Sequence, residues 1–334
     1  MTRPAEPPLA LPILDPEVEA RLRRRLVEVE AELDEAVQSE ARFVTEAARH
    51  LMQAGGKRFR PLLVLLAAET GGPMADGIVT AACVVELTHL ASLYHDDIMD
   101  EADLRRGADS ANARWSNLVA ILTGDFLFSK SSELTARLGA DAVRIQAQTF
   151  TRLVEGQILE TLGPQDGADP LEHYLRVVAG KTGSLIATSA RYGARFAGAP
   201  LEVEEALTAY GERIGSAFQL SDDIIDITSD SNESGKTPGT DLREGVDTLP
   251  LLARRSTDPA DARLLELLDA DLSDDSLHAE ALDLLRKHPA MDEARAYVLD
   301  RAREAQALLT ALPSGSPVRA ALDDFAEVVA TRTA

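Results

Sequence analysis

Apolar residues recur at helical spacing along nearly the whole chain, and the period breaks only at clusters of Gly, Pro, Ser and Asp, so the sequence divides into helices joined by short turns. An outer, heavily charged amphipathic helix is predicted from Glu17 to about Gln38, and a second from Ala41 to Ala54, closed by Gly55-Gly56. A buried third helix follows from Pro61 to Thr70, closed by Gly71-Gly72-Pro73. Val79 to Ala102 then runs twenty-four residues without Gly or Pro, apolar on most of its circumference. That pattern predicts a central rod about 36 Å long inside the protein. A membrane span is the competing reading, but Glu86 and His89 stand in mid-stretch and acids close it, which lipid disfavours. Further helices are predicted over Ser110–Lys130 and Ala140–Leu162, and amphipathic helices from Leu249 onward, punctuated by Pro259, Pro289, Pro313 and Pro317. The expected architecture is all-α, with one helical domain over 16–334 behind a disordered tail, 1–15, in a stretch with five prolines among the first sixteen residues.

Composition narrows the partners. With 34 Lys and Arg against 56 Asp and Glu the net charge is −22, which argues against nucleic acid or an anionic membrane as a standing partner. A hydrophobic share of 45% is ample for a core, and 4% aromatic content suits close-packed Ala- and Leu-rich helices. Cys83 is the single cysteine, so no disulfide framework or cysteine metal cluster is available. The N-terminus has no basic region followed by an apolar run, so neither signal peptide nor anchor is expected, and a cytoplasmic address fits best.

The chemistry begins at the end of the central helix. Asp96, Asp97 and Asp100 fall at i, i+1 and i+4, so Asp96 and Asp100 share a face and Asp97 leans over its edge. Like charges at that spacing cost about 0.2–0.5 kcal/mol per pair, and the negative end of the helix dipole adds to the penalty. A lone acid run on a solvated helix end would be bland, but the chain repeats it. Gly211 to Asp226 carries Asp222, Asp223 and Asp226 at the same spacing, and Glu86 and Glu212 both stand ten residues before the first acid. Face to face, a single carboxylate pair about 5 Å apart repels by about 3 kcal/mol at an effective dielectric of 20, so cations are needed between them. Oxygen ligands without His or Cys favour a hard ion such as Mg²⁺, which leaves positions for water and substrate phosphate.

Basic groups complement the acids. GGKRFRP places Lys57, Arg58 and Arg60 within four residues, with Pro61 suited to a helix start whose backbone N–H groups add to an anion site. A solvated basic turn is the alternative. DLRRG, directly after the first acids, adds Arg105 and Arg106, whose forked guanidinium groups suit phosphate oxygens. Neither GKT sequence is a nucleotide loop, because Leu175 and Asp230 stand where the first Gly is required, but Lys181 and Thr182 remain a cation and a hydroxyl on an inward helix. Beyond Asp226 the period is lost in a Ser-, Gly- and Asp-rich loop read as a lid bearing Lys236. Its partial calcium-loop pattern (Asp230, Asn232, Ser234, Gly235, Asp241) is contradicted by Pro238 and by Lys236 itself.

GGKRFRP, then HDDIMD, RRG, KT and FQLSDDIID, with GK and TLP beyond, resemble the trans-prenyltransferases that build isoprenoid diphosphates, from about Gly55 to Leu252. HLASLYHDDIMD and ESGKTPGTDLREG look most like actinobacterial long-chain polyprenyl diphosphate synthases that make quinone side chains. The resemblance implies an isoprenoid synthase fold, a helical bundle around a deep central cavity, usually a homodimer. It implies three Mg²⁺ ions between an allylic diphosphate and the acids Asp96, Asp97, Asp100, Asp222, Asp223 and Asp226. Lys57, Arg60, His89 and Arg106 would hold isopentenyl diphosphate, and Arg105, Lys181, Thr182, Gln219 and Lys236 the allylic partner. The carbonyl of Gln219 and the hydroxyl of Thr182 would face an allylic cation, and no general base is expected. Val246 stands where many relatives have Lys. Ala91 and Ser92, five and four residues before Asp96, are small, and in such enzymes small residues there leave room for a long product of about C35–C45. The alternatives are a farnesyl- or geranylgeranyl-length product, a class I terpene cyclase, or a non-catalytic subunit of a two-component synthase. Intact paired acid motifs disfavour the last two.

Overall fold

The computed structural model describes residues 9, 11, 13, 15–165, 167–228, 238–243, 248–249 and 261–332. Residues 1–8 of the expected tail, the Asp230–Gly235 pattern, Lys236 and Val246 lie outside them. Among the described residues the chain is all-α apart from one hairpin of two-residue strands, and it groups into two compact units, each assembled from separate segments.

The first unit comprises Met1–Phe150, Leu185–Thr208 and Leu309–Leu322. Its helices are α1 (Pro16–Ala36), α2 (Arg42–Gln53), α3 (Phe59–Ala68), α4 (Ile78–Met99), α5 (Ala111–Arg114) and α6 (Asn117–Arg137). The first half of α7 (Ala140–Leu162), α9 (Ser184–Phe196) after its first residue and the start of α10 (Leu201–Thr228) also belong to it. As its apolar circumference requires, α4 is the rod of this unit, lying against α6, α3 and α1, with Val84, Val85, Leu87 and Leu90 wholly buried. Among the described residues it is the one helix long and apolar enough to cross a membrane, and most of its apolar side chains are instead buried in the protein.

Three boundaries differ from the periodicity. Helix α3 starts at Phe59, two residues before Pro61, because the N–H groups of a first turn are unpaired and Pro costs nothing there. Arg58 caps it in the left-handed region, at φ 47°. The Ser110–Lys130 stretch is two helices, each started by a serine: Ser110 Oγ accepts from Ala113 N–H and Ser116 Oγ from Val119 N–H, both at 3.3 Å. Helix α4 ends at Met99, with Asp100 as its cap and Glu101 left-handed at φ 47°. The RRG run then forms a hairpin, β1 (Leu104–Arg105) with β2 (Ala108–Asp109), in register Leu104 to Asp109. Its two-residue turn, Arg106 at φ 55° and Gly107 at φ 77°, has the left-handed backbone of a type I′ turn, whose usual first residue is Asn or Asp. An arginine there hides the hairpin from a reading by turn residues.

The second unit comprises Thr151–Ser184, Ala209–Leu308 and Asp323–Ala334. It holds the rest of α7, α8 (Pro170–Val178), a π turn over Ala179–Gly183, most of α10, and helices including Asp275–Lys287 and Ala290–Leu308.

In the first unit, a Cβ placed on Gly193 of α9 would lie 2.1 Å from the backbone oxygen of Val64 on α3, a contact no rotamer can relieve. Gly193→Ala is therefore expected to destabilise the protein by about 1–3 kcal/mol in urea denaturation monitored by circular dichroism. Wild-type stability in that variant would show that α3 and α9 are not in backbone contact.

Candidate active site

The two acid motifs share one local build, each within its own unit. On a helix, i and i+1 are about 100° apart, so the second acid of each motif turns away from the face shared by the first and last. The structure buries it both times, Asp97 at 0% and Asp223 at 5% exposure. The Asp100 and Asp222 side chains are 46% and 45% exposed, and Asp96 and Asp226 are half-buried.

In the first unit, Asp97 Oδ1 accepts from Arg105 Nε at 2.5 Å, while its Oδ2 is buried without a partner. Burial raises its pKa against the pull of Arg105. Arg105 Nη2 also stands 3.8 Å from Asp100 Oδ2, so the hairpin aims a guanidinium at the acid motif. Arg106 Nη1 donates to the backbone oxygens of Leu51, at 3.0 Å, and Gly55. Arg58 is committed as well, to Glu86 at 3.2 Å, Glu30 at 2.5 Å and the oxygen of Met52 at 3.0 Å. Glu86 is thus a buried counter-charge in a group of guanidiniums.

The other cations here have no such commitments. Arg60 makes no hydrogen bond among the described residues, its Nε is buried and unpartnered, and burial pulls its pKa down to about 10, with Glu86 opposing and Arg106 assisting. His89 is neutral: burial first, then the field of Arg60, Arg106, Arg105 and Arg58, holds it well below the usual imidazole range. Lys57 is exposed. Uncommitted Arg60, Lys57 and His89 beside three committed arginines form a region of positive potential suited to an anion.

Along α4, His89, Ser92, Leu93 and Asp96 are half-buried and Asp100 is exposed, at i, i+3, i+4, i+7 and i+11. They form one open stripe along the helix, beside accessible His95, Ile98 and Met99 near its C-terminal end and Val79 and Thr80 at its start. Ser92 lies on it. Ala91 does not, having no accessible surface.

In the second unit, Asp223 Oδ2 accepts from the Tyr174 hydroxyl and Oδ1 from Gln219 Nε2 at 3.0 Å. Burial lifts Asp223 to about 7 although both hydrogen bonds oppose it. Gln219 Oε1 accepts from Thr182 Oγ1 at 3.0 Å, and Lys181 Nζ pairs with Glu160 Oε2 at 2.6 Å. Both KT residues lie in the π turn, which meets α7 backbone to backbone: a Cβ on Gly156 would be 2.6 Å from Lys181 N, and one on Gly180 would be 2.8 Å from Arg152 O. Glu212 is paired with Arg152, at 2.5 and 2.9 Å, as Glu86 is with Arg58. Asp226 Oδ2 accepts from the Asp241 backbone at 3.3 Å. Asp222 Oδ1 accepts from Arg332 Nη2 at 2.9 Å, and Arg332 also bonds Ser221 Oγ at 2.6 Å and lies over the Phe218 ring.

Sequence reasoning missed Tyr174, Glu160, Arg152 and Arg332. None stands in a motif, and Arg332 follows Asp222 by more than a hundred residues, so no spacing rule could pair them.

Donor chemistry fits a hard cation: oxygens only, with Arg105 and Arg332 already placing positive charge against both motifs. Among the described residues no group of three or more His, Cys, Asp or Glu side chains is arranged to hold an ion alone.

The polyprenyl synthetase family model matches residues 41–285. The nonaprenyl diphosphate synthase of Mycobacterium tuberculosis is 49% identical over 310 residues, 92% of each chain. A geranylgeranyl pyrophosphate synthase from Corynebacterium glutamicum, solved with calcium and isoprenyl diphosphate, aligns with TM-score 0.87 and 46% identity over 97% of this chain and 99% of that one. A decaprenyl diphosphate synthase from Rhodobacter capsulatus aligns with TM-score 0.87 and 34% identity over 95% and 99%.

Asp223 has a pH signature in metal-free protein. Its folded pKa, about 7, lies above the ordinary 3.8, so between these values the folded state holds a proton that the unfolded state has lost. The stabilisation is fully present below pH 3.8 and is lost as pH rises through about 7, by a few kcal/mol in all. With chelator present, wild-type stability measured against Asp223→Asn is expected to fall from pH 4 to pH 7.5. A constant difference would show Asp223 to be ionised throughout.

Proposed function

Because the chain belongs to the polyprenyl synthetase family, we propose that it is a prenyltransferase that joins isopentenyl diphosphate to an allylic diphosphate, releases pyrophosphate, and builds an all-trans polyprenyl diphosphate of about C35–C45. The observation that carries the reading is the repeated acid motif, whose first and last carboxylates are accessible while its second is buried and braced by the protein.

Asp96 and Asp100 with Asp222 and Asp226 would hold divalent cations, three in number as the resemblance implies, while Asp97 and Asp223 brace Arg105 and Gln219. Bound Mg²⁺ would draw negative charge from the allylic diphosphate and ease its departure. Lys57, Arg60 and His89 receive the diphosphate of isopentenyl diphosphate, with Arg106 shaping the loop beside them. Neutral His89 can donate a hydrogen bond to a phosphate oxygen. Arg105 and Lys181, with Lys236 as the resemblance implies, receive the allylic diphosphate, to which Asp97 and Glu160 yield these cations. Thr182 and the Gln219 carbonyl turn oxygen dipoles to the allylic carbocation. The double bond of isopentenyl diphosphate attacks that cation, and the departing pyrophosphate takes the proton lost, so no side chain serves as base. Exposed Leu118, Ile121 and Leu122, at i, i+3 and i+4 on α6, are an apolar patch suited to a second copy, which supports a homodimer. A cytoplasmic location suits both substrates.

The test is incubation with labelled isopentenyl diphosphate and each allylic starter, products sized by chromatography. Activity is expected with Mg²⁺ and not with chelator, and Asp96→Ala or Asp222→Ala is expected to lower turnover by about a hundredfold or more without loss of helical content. Near wild-type turnover in either variant would remove that acid from the site.

A shorter product is the second reading, favoured by the likeness to the geranylgeranyl synthase. The open stripe separates the two readings. Ser92→Phe would project a ring from it, so shortened products at retained turnover are expected. Ala91→Phe would overpack a closed site and cost about 1–3 kcal/mol of stability. Unchanged products from Ser92→Phe would place the length-limiting wall on another helix.

A further inference from the structure

We propose that Tyr174 is a positioning residue for prenyl transfer, acting through Asp223 to hold the Gln219 carbonyl in one direction. The inference rests on the reading that Gln219 and Thr182 face the allylic cation. Tyr174 belongs to no motif of the chain, yet its hydroxyl is buried and donates to Asp223 Oδ2.

The direction of the Gln219 amide follows from its neighbours. A carboxylate only accepts hydrogen bonds, so the end of Gln219 that faces Asp223 Oδ1 at 3.0 Å must be the NH₂ group. Oε1 must then face Thr182 Oγ1, also at 3.0 Å, where the hydroxyl donates to it. The amide would lose this orientation if the carboxylate rotated, because a turned carboxylate no longer presents Oδ1 to the NH₂ group. Tyr174 prevents rotation by holding the other oxygen. Phenol, carboxylate, amide and hydroxyl thus form one unbroken chain across α8, α10 and the π turn, all within the second unit.

This chain separates the two jobs of the acid motif. Asp222 and Asp226 keep accessible carboxylates, whereas Asp223 has both oxygens engaged and serves the amide. Removing the Tyr174 hydroxyl should therefore disturb the transfer step more than the capture of either cation or isopentenyl diphosphate.

The experiment compares wild type, Tyr174→Phe, Gln219→Ala and the double variant at pH 8 in saturating Mg²⁺, with Mg²⁺ binding measured separately by calorimetry. Tyr174→Phe is expected to lower kcat about tenfold while KM for isopentenyl diphosphate changes less than about twofold. The double variant should be no slower than Gln219→Ala. Mg²⁺ affinity should be unchanged. An unaltered kcat, a loss that adds in full to that of Gln219→Ala, or a matching loss of Mg²⁺ affinity would each overturn the proposal, the last by assigning the brace to the metal. An activity-independent readout is the Gln219 side-chain amide by NMR with glutamine-selective ¹⁵N labelling. Its protons should be protected from exchange in wild type and lose protection in Tyr174→Phe, and equal protection in both would also overturn the proposal. Should Tyr174→Phe not fold, Asp223→Asn removes the acceptor-only partner and is expected to cost the same protection, with retained protection counting against the proposal. Absence of prenyl transfer in wild type would sink the enzymatic reading alone, since the exchange experiment judges the positioning chain without it.

Discussion

A carboxylate taken out of water must be given a partner, and the candidate site depends on how the protein meets that demand twice. Each acid motif closes a helix, where the macrodipole is already unfavourable to negative charge. In each the second acid is turned inward. Asp97 receives the guanidinium of Arg105, and Asp223 receives the Tyr174 phenol and the Gln219 amide. Those partners are not spectators. Arg105 comes from a hairpin with a left-handed arginine at its turn, and Gln219 touches the threonine of the π turn. The buried acids thereby fix Arg105 and Gln219, the groups proposed to meet the allylic diphosphate and its cation.

The same logic sorts the cations. A chain of net charge −22 must gather positive charge locally to bind a diphosphate, and several arginines concentrated in one place must themselves be neutralised in part. Glu86, buried and ion-paired with Arg58, does this while the side chains of Arg60 and His89 make no hydrogen bond among the described residues. A neutral His89 lowers the repulsion among the guanidiniums and keeps a hydrogen-bond donor available. Around the GGKRFRP turn, pairing with protein groups rather than nearness in sequence distinguishes Arg58 and Arg106, which build the loop, from Arg60, which is placed to receive an anion.

Close backbone approach is the second constraint. Gly156 and Gly180 let α7 and the π turn touch without side chains between them, which places Lys181 and Thr182 within reach of Glu160 and Gln219. A π turn adds a residue to the helical repeat and shifts the following side chains round the axis, a device often found where function requires an unusual orientation.

The sequence by itself determined the helical architecture, the buried rod of α4, the paired acids and the identity of most groups around them. Those features are carried by local period and by residue chemistry, which survive without knowledge of the fold. Helix α7, bounded by Gly139 and Gly163, matches its expected ends because its stop signals are local. Only the tertiary structure decided that the second acid of each motif is buried, that Arg106 shapes a loop through Leu51 and Gly55, and that Ala91 is enclosed while Ser92 is open. It also supplied Tyr174 and Arg332, which reach the second motif from segments far away in the chain. The physical reason is common to all of these: burial and hydrogen-bond partnership are properties of what another segment brings to a residue, and helical periodicity says which face a side chain is on but not what will cover it.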